Sequence, residues 1–279
     1  MRSIRVVADP STATLALLKT LQDGVSKGPF KDRVPKAKKA WASKTSSIAK
    51  RKAFADIKKL LTEACWGARR CNYCEDSVAD EIEHFRPKDW YPDVAFAWSN
   101  YLYACGPCNG PKSNLFPLFP TQGSATVQEL VPRKESDPIV PPPNGDPVLI
   151  DPRNEDPMKF LFLDIEGNLH FAPRSDLLPG SREEQRALWT IKLLHLNDRD
   201  DLVKARVTTL SALRTALLAA FMAKRAPAVV PAGIDPIVSA RRAVSETPHR
   251  FVWEEIVRHR NTVPAYQKMF AAVPEALAW

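Results

Sequence analysis

Apolar side chains recur at helical spacing in the N-terminal quarter of the chain. Residues 9–24 place Leu15, Leu18 and Leu21 along one side of a helix that a preceding Asp-Pro pair can start and a glycine can end. After a stretch rich in lysine and proline, residues 46–65 repeat the pattern, with apolar side chains on one face and basic ones largely elsewhere. This quarter is therefore predicted to be helical, with a basic surface that leads into the first pair of cysteines.

Short alternating segments replace the helical periodicity in the middle of the chain. Ile82 and His84 alternate with carboxylates and predict a short strand, and residues 100–104 predict a second strand that returns beside it. An Asn-Gly-Pro sequence after Cys108 predicts a turn before a short basic stretch. Together these segments predict a strand-loop-strand-turn-helix unit that converges on one metal.

The pattern changes again after this unit. Residues 117–157 are dense in proline and predict a linker or an extended wrapping segment. Residues 159–165 and 168–172 flank a Glu-Gly pair and predict a β-hairpin. Ser181 and Glu184 form a capping box ahead of an apolar helical run, and apolar spacing predicts further helices toward the C-terminus.

Composition describes an ordinary folded protein. The 279 residues are 44% hydrophobic and 26% charged, which argues against wholesale disorder and against a collagen-like or disulfide-dense chain. No run of about 18 uncharged apolar residues occurs, so neither a membrane span nor a membrane partner is expected. The first ten residues lack the long apolar region of a secretory signal, and a cytoplasmic location is expected.

Positive charge is concentrated at one end of the chain. Residues 1–70 contain 17 basic and 5 acidic side chains, or +12, which leaves −4 for the remainder of a total of +8. A polyanionic partner of the N-terminal quarter is a reasonable hypothesis, because binding to phosphates releases counterions and can dominate affinity. The alternative, a solvated basic helix surface, stays open.

Four of the five cysteines form two C-x-x-C pairs. Cys71 and Cys74 precede Cys105 and Cys108 by 30 intervening residues, and Cys65 is left over. In a cytoplasmic chain this spacing predicts a tetrahedral structural zinc site, because each short turn presents two thiolates to one ion. The alternatives are a thioredoxin-like redox pair, which needs only one C-x-x-C, or unrelated buried thiols.

The segment between the cysteine pairs resembles the core of the HNH, or ββα-metal, endonucleases. Glu83-His84 corresponds to the first motif, Asn100 to the central asparagine and Asn109 to the third position, where histidine is more frequent. The separation of nine residues from Asn100 to Asn109, followed by Lys112, is also similar to the HNH domain of CRISPR effector nucleases. This resemblance implies metal-dependent hydrolysis of phosphodiester bonds.

Each motif residue has an expected role in that reaction. His84 is expected to be the general base, because neutral imidazole can accept a proton at cellular pH. Glu83 and Asn109 offer the hard oxygen ligands that suit Mg²⁺ or Mn²⁺. Asn100 is expected to orient the loop and the histidine through backbone hydrogen bonds.

Three neighbouring residues extend the candidate site. Glu81 lies on the same face of the predicted strand as Glu83 and is a candidate further ligand of the catalytic cation. Lys112 and Arg86 are candidate phosphate contacts. A plain solvated lysine remains an equal alternative for Lys112.

The order of motifs on both sides of this core resembles the PtuB family, the HNH nuclease subunits of Septu-type and retron-associated anti-phage systems. The resemblance spans residues 50–210 and includes the Val-Leu-Ile-Asp-Pro sequence at residues 148–152 and a helix that ends at Leu196-Asn197. It implies a complex with a PtuA-like ATPase that restrains the nuclease until infection is sensed.

Together the patterns predict an α+β protein that cuts nucleic acid, with DNA favoured and RNA or tRNA not excluded. Two alternatives stay open, a non-cleaving zinc module that binds nucleic acid and a structural subunit of an ATPase assembly. The predicted regions are a basic helical part (1–64), an HNH core with a four-cysteine zinc site (65–120), a proline-rich linker (121–158) and a hairpin with helices (159–279).

Overall fold

The computed structural model describes residues 1, 3–4, 8–226, 233 and 235–279. In that part of the chain, helices surround three small antiparallel sheets, in agreement with the predicted α+β class. The helices are α1 (Thr12–Val25), α2 (Phe30–Ala42), α3 (Ile48–Glu63), α4 (Gly106–Lys112), α5 (Arg182–Leu193), α6 (Asp200–Arg225), α7 (Pro236–Glu246), α8 (Phe251–Arg258) and α9 (Pro264–Ala272). The strands are β1 (Glu81–His84), β2 (Tyr101–Ala104), β3 (Phe116–Phe119), β4 (Gln128–Leu130), β5 (Asp146–Pro147), β6 (Leu161–Leu163) and β7 (Phe171–Pro173).

The first three helices form a layer against β2. Both predicted helices are present in it as α1 and α3, but the N-cap of α1 is Ser11, whose Oγ accepts a hydrogen bond from the backbone N–H of Thr14 at 3.3 Å. The Asp-Pro pair predicted to start α1 lies just before that cap. A hydroxyl satisfies an N–H that has no partner within the first turn, which is why serine is favoured at this position.

Helix α2 lies in the stretch that the sequence did not mark as helical. Pro35 is inside it, where it removes one backbone hydrogen bond and normally disfavours a helix. Burial of Val34 and Ala37 against the neighbouring helices offsets that cost. The helix ends beside Trp41, which packs over the central strands.

Strands β1 and β2 and helix α4 form a ββα unit at the centre of the chain. The strands are antiparallel, with Glu81 opposite Ala104 and His84 opposite Tyr101. The Asn-Gly-Pro sequence predicted as a turn lies inside α4 instead. Cys105 caps the start of this helix, because its carbonyl oxygen accepts hydrogen bonds from the backbone N–H groups of Cys108 and Asn109. The predicted strand-loop-strand-helix order is therefore present with an earlier helix start.

The segment predicted as a linker, residues 121–158, is partly built into a sheet. It supplies β4 and β5, which pair on either side of β3, and it buries Val148, Leu149 and Ile150. Its prolines do not prevent this, because Pro147 belongs to an edge strand, where the missing N–H is tolerated. The segment thus differs from a free linker.

The C-terminal part contains the predicted hairpin and helices. Strands β6 and β7 pair antiparallel, and the Ser181 Oγ accepts from the N–H of Glu184 at the start of α5, as a capping box requires. Among the described residues, α6 is the one helix that by length and composition could cross a membrane. It packs against α7, α8 and α9 and buries Arg206, so that composition is weak evidence for a span.

Candidate active site and cysteine cluster

The four paired cysteines meet at one end of the ββα unit. Cys71 and Cys74 come from the loop before β1, and Cys105 and Cys108 come from the end of β2 and from α4. Their four Sγ atoms all lie within 4.8 Å of one another, and the Cys74–Cys105 Sγ distance is 3.8 Å. Four sulfurs bound to one Zn²⁺ at about 2.3 Å in a tetrahedron lie about 3.8 Å apart. The cluster therefore has the ligand type and spacing to hold a metal such as zinc.

The four thiols differ in their electrostatics: the pKa of Cys74 and Cys105 is lowered by hydrogen bonds from the other cysteines, whereas burial raises the pKa of Cys71 and the hydrogen bond with Cys105 raises the pKa of Cys108. Hydrogen bonding, chiefly from Cys105, holds the pKa of Cys74 well below its usual range. Arg199 donates a hydrogen bond from Nη2 to the Sγ of Cys108 at 3.4 Å, so a cation from the loop before α6 lies against the cluster. Burial would lower the pKa of Arg199, but the negative charge of Cys108 and Cys74 raises it above the usual value.

Three of the predicted catalytic residues, Glu83, His84 and Asn109, line one groove, whereas Asn100 and the buried Lys112 do not. The groove has a volume of about 340 Å³ and is bounded by β1, α2 and α4. Glu81 and Glu83 alternate with Ile82 and His84 along β1, and all four residues line the groove. The predicted residues that line this groove are Glu81, Glu83, His84 and Asn109.

His84 is held at the bottom of the groove in one orientation. Its Nε2 lies 2.9 Å from the backbone carbonyl oxygen of Ala95, and its side chain is 5% exposed. Because a carbonyl oxygen only accepts hydrogen bonds, Nε2 carries the proton in the neutral ring and Nδ1 carries the lone pair. Burial and the nearby charge of Lys88 lower the pKa of His84 to about 3, so the ring is neutral at cellular pH.

Glu83 forms a buried ion pair with Lys112. The ammonium of Lys112, which is fully buried, contacts the Oε1 of Glu83 and donates a hydrogen bond to the carbonyl oxygen of His84 at 3.0 Å. Burial raises the pKa of Glu83, and the lysine opposes that shift. Apart from this charge contact, Oε1 of Glu83 has no hydrogen-bond partner of good geometry among the described residues. A divalent cation bound to Glu83 would compete with Lys112.

Asn109 and Glu81 contact each other at the more exposed rim. The side-chain amide of Asn109 donates to the Oε2 of Glu81, which leaves the amide oxygen of Asn109 as the remaining coordinating atom. Across the described ranges, the cysteine cluster is the one place where three or more His, Cys, Asp or Glu ligands converge. The groove therefore brings together hard oxygen donors from two elements without a closed ligand cage.

Asn100 secures the loop between the two strands. Its Oδ1 accepts a hydrogen bond from the N–H of Arg86 at 2.8 Å, and its Nδ2 donates to the carbonyl oxygens of Arg86 and Val94 at 3.0 and 3.1 Å. The side chain of Arg86 stacks on Tyr91 and Phe116, 5.0 and 5.6 Å from the ring centroids. Arg86 lines a different cavity, of about 610 Å³, so the structure does not bring it into the groove at His84.

Two residues of the groove were not predicted from the sequence. The ring of Trp41 lies 4.1 Å from the ring of His84, and Lys88 lines the same groove. Trp41 was missed because it belongs to α2, which the sequence pattern did not predict as a helix and which contains Pro35. Lys88 directly follows the Glu-His-Phe-Arg-Pro sequence, so its position beside the motif was the available signal.

Comparisons with known proteins give a local similarity. A stretch of 48 residues is 46% identical to the Septu protein PtuB of Bacillus thuringiensis, and the match covers 15% of this chain and 19% of that protein. The chain thus spans about a fifth of the length of this curated relative. No family model and no solved structure matches the chain. The similarity supports a Septu-like relationship for that stretch.

Proposed function

We propose that this protein is a metal-dependent endonuclease of the HNH type that hydrolyses phosphodiester bonds of nucleic acids, with DNA favoured. The observation that carries the proposal is the fixed histidine. Hydrogen bonding of Nε2 to Ala95 leaves the Nδ1 of His84 with a lone pair, at the bottom of a groove that also contains Glu83, Glu81 and Asn109. A base in a set orientation beside hard oxygen ligands is the arrangement that this hydrolysis requires.

His84 takes the proton of the attacking water in this mechanism. Proton transfer to Nδ1 leaves hydroxide to attack the phosphorus, and the bond to the 3′-oxygen breaks. The leaving 3′-oxyanion takes a proton from solvent water, and His84 returns its proton to solvent, which yields 5′-phosphate and 3′-hydroxyl ends. A bound Mg²⁺ or Mn²⁺ supplies charge neutralisation at the leaving oxygen. Glu83 and Asn109 would hold the cation, with Glu81 as a further ligand, and the carboxylate of Glu83 would exchange its contact with Lys112 for the ion. Lys112 neutralises Glu83 and is fully buried outside the lining of the groove.

Zinc at the cysteine cluster has a structural role in this proposal. Cys71, Cys74, Cys105 and Cys108 would hold the ion, and four thiolates would fill a tetrahedral zinc site without leaving a position for substrate. Cys105 and Cys108 flank the start of α4, and Asn109 follows directly. Binding of zinc would therefore fix the end of the helix that presents Asn109 and Lys112.

The biological setting rests on the similarity to PtuB. We extend it to an anti-phage defence role of the Septu type, with a PtuA-like ATPase as the partner. Purification of the chain together with a neighbouring ATPase and measurement of complex formation would test the partnership separately from the chemistry.

A cleavage assay tests the proposed chemistry directly. Plasmid DNA, single-stranded DNA and total RNA are incubated with wild type in Mg²⁺ or Mn²⁺, with and without the ATPase partner. His84→Ala is expected to lower the rate by about 10² to 10⁴, the usual contribution of a general base, with zinc content unchanged. His170→Ala, in the hairpin that precedes α5, is the matched control and should cut like wild type. Equal rates for wild type and His84→Ala would overturn the proposal.

One observation favours a second candidate function, a module that binds nucleic acid without cutting it. Glu83 is already paired with Lys112, and Asn109 is already bonded to Glu81, so both principal cation ligands have protein partners. In that case the cleavage assay would give no products under any condition, and a separate binding measurement would show salt-sensitive binding that His84→Ala does not change.

A further inference from the structure

Two lysines lie close to the indole that packs against His84, and a third lies on the neighbouring helix α3. The ammonium of Lys44 lies over Trp41, 4.7 Å from the ring centroid, and that ring is 4.1 Å from His84. Lys88 lines the catalytic groove together with both rings. Lys58 is exposed one helical turn after Phe54, whose ring is 5.5 Å from Trp41. We name Lys44, Lys58 and Lys88 the lysine cluster.

In the part of the chain that the structure describes, several lysines of the N-terminal helices have no ion pair with a carboxylate, Lys31, Lys39 and Lys52 among them, so the lysine cluster is distinguished by its position near Trp41 and the groove. Lys19 pairs with Asp23, and Lys59 pairs with Glu63, each one turn away on its own helix. Within the described ranges, no ion pair joins a member of the lysine cluster to a carboxylate. Like charges that lie together without counterions repel one another and favour binding of an anion.

The acidic side chains closest to Lys88 are already occupied. Glu83 contacts Lys112, and Asp89 pairs with Lys38 at 2.8 Å. Mutual repulsion is evident at Lys44, whose pKa is lowered by burial and then by the charges of Lys58 and Lys88. The positive potential at the groove mouth is thus left for a partner from outside the chain.

We infer that the lysine cluster binds consecutive phosphates of a nucleic-acid strand and directs it from α3 across Trp41 into the groove at His84. This inference rests on the proposed function and adds the path of the substrate to it. A phosphate backbone fits better than an acidic protein surface because the three ammonium groups lead to the proposed general base. The excess of basic residues over residues 1–70, 17 against 5 acidic, supplies a longer-range attraction for the same strand.

The salt dependence of binding measures these contacts. Binding of a fluorescent DNA duplex and of a single strand is followed by anisotropy over a series of NaCl concentrations, without added divalent cation and without chelator, so that cutting is suppressed and zinc is retained. Each lost phosphate contact lowers the slope of log K against log salt by about 0.9 for duplex and about 0.7 for single strand. Lys44→Ala with Lys58→Ala should therefore lower the slope by about 1.4 to 1.8 and weaken binding on the order of tenfold.

The matched control is Lys19→Ala with Lys59→Ala, which removes the same charge from the same helical layer. It should keep the wild-type slope to within about 0.5, because its lysines are paired within the protein. Equal slopes for the two double variants would overturn the inference, as would wild type that binds no nucleic acid but binds an acidic partner protein.

The binding assay separates this inference from the proposed function. Binding that depends on Lys44 and Lys58, together with no cutting by wild type, would retain the lysine cluster and reject the nuclease. Cutting that depends on His84 but not on these two lysines would retain the nuclease and reject the substrate path.

Discussion

The two ends of the ββα unit offer ligands of different chemistry, and the fold treats them differently. At the cysteine end, Cys71, Cys74, Cys105 and Cys108 have their sulfurs within 4.8 Å of one another. At the groove end, the carboxylates of Glu81 and Glu83 and the amide of Asn109 line one groove but have other protein partners. A closed set of ligands suits a structural ion, and a set with open positions suits a catalytic ion.

The difference follows from what each side chain can bind in a folded chain. Thiols are weak hydrogen-bond donors and acceptors, so buried cysteines gain little from other protein groups and converge on one another or on a metal. A carboxylate is a strong acceptor and is costly to bury without a cation. Lys112 provides that cation for Glu83.

Of the substitutions that separate the two ends, loss of one thiolate from the cysteine end should destabilise the protein most. Cys71→Ser removes a ligand from the cysteine end, and structural zinc supplies roughly 10 to 16 kcal/mol of apparent binding free energy in small domains. We expect loss of zinc from the purified protein and a large fall in its melting temperature. Zinc analysis and thermal unfolding by circular dichroism measure the two effects.

Cys65→Ser provides the control for that experiment. Cys65 is buried but lies outside the cluster, and its Sγ donates to the carbonyl oxygen of Arg70, a bond that a hydroxyl can keep. This variant should retain its zinc. A Cys71→Ser protein with the wild-type melting temperature would show that the cysteine end does not depend on metal.

The ion pair at the groove end should have the next largest effect. Lys112→Met leaves the buried carboxylate of Glu83 unpaired, and removal of one partner from a buried pair costs about 3 to 5 kcal/mol. We expect that fall in the free energy of unfolding, measured by urea denaturation, with zinc retained. The double variant Lys112→Met with Glu83→Gln should recover a large part of it.

Addition of Mn²⁺ to the same unfolding experiment tests whether Glu83 is a ligand of a divalent cation. If Glu83 is a ligand of the catalytic ion, Mn²⁺ should stabilise Lys112→Met more than wild type, because the ion no longer competes with the ammonium. Lys112→Met combined with Glu83→Gln should lose that response. An equal Mn²⁺ response in all three proteins would argue against Glu83 as a ligand.

Sequence reasoning was most successful where residue type and short spacing determine the structure. The strand at Glu81–His84 and the cap at Ser181 depend on contacts within a few residues, and the structure contains both. The two cysteine pairs meet across about 30 residues, and residue type and the short spacing within each pair made that contact predictable. Sequence reasoning failed where a contact between distant segments decides the outcome. Pro35 argued against α2, and only packing of that helix against the rest of the protein explains its presence. The pairing of Glu83 with Lys112, 29 residues apart, likewise has no local signal.

A fall in pH should lower the free energy of unfolding through a contact beside the cysteine end, by less than the substitutions above. Asp76, two residues after Cys74, accepts a hydrogen bond from His249 Nε2 at 3.1 Å, and this bond lowers the pKa of Asp76 below its usual 3.8. A carboxyl whose pKa is lower in the folded state stabilises the fold above its unfolded pKa, and that stabilisation is lost as the pH falls through the folded pKa. Because the side chain of Asp76 is 33% exposed and therefore partly screened by solvent, we expect at most about 1 kcal/mol from the pair.

Asp76→Asn isolates that contribution from the acid release of zinc. Protonation of the thiolates weakens metal binding in both proteins, so the comparison is the difference between their free energies of unfolding at each pH. That difference should be constant above pH 5 and should shrink as the pH falls below about 4, where the wild-type carboxyl also becomes neutral. A difference that stays constant down to pH 3 would mean that the charge of Asp76 contributes nothing. The link between the cysteine end and the C-terminal helices would then depend on the other contacts of that interface, such as the hydrogen bond from the N–H of Arg250 to Glu75.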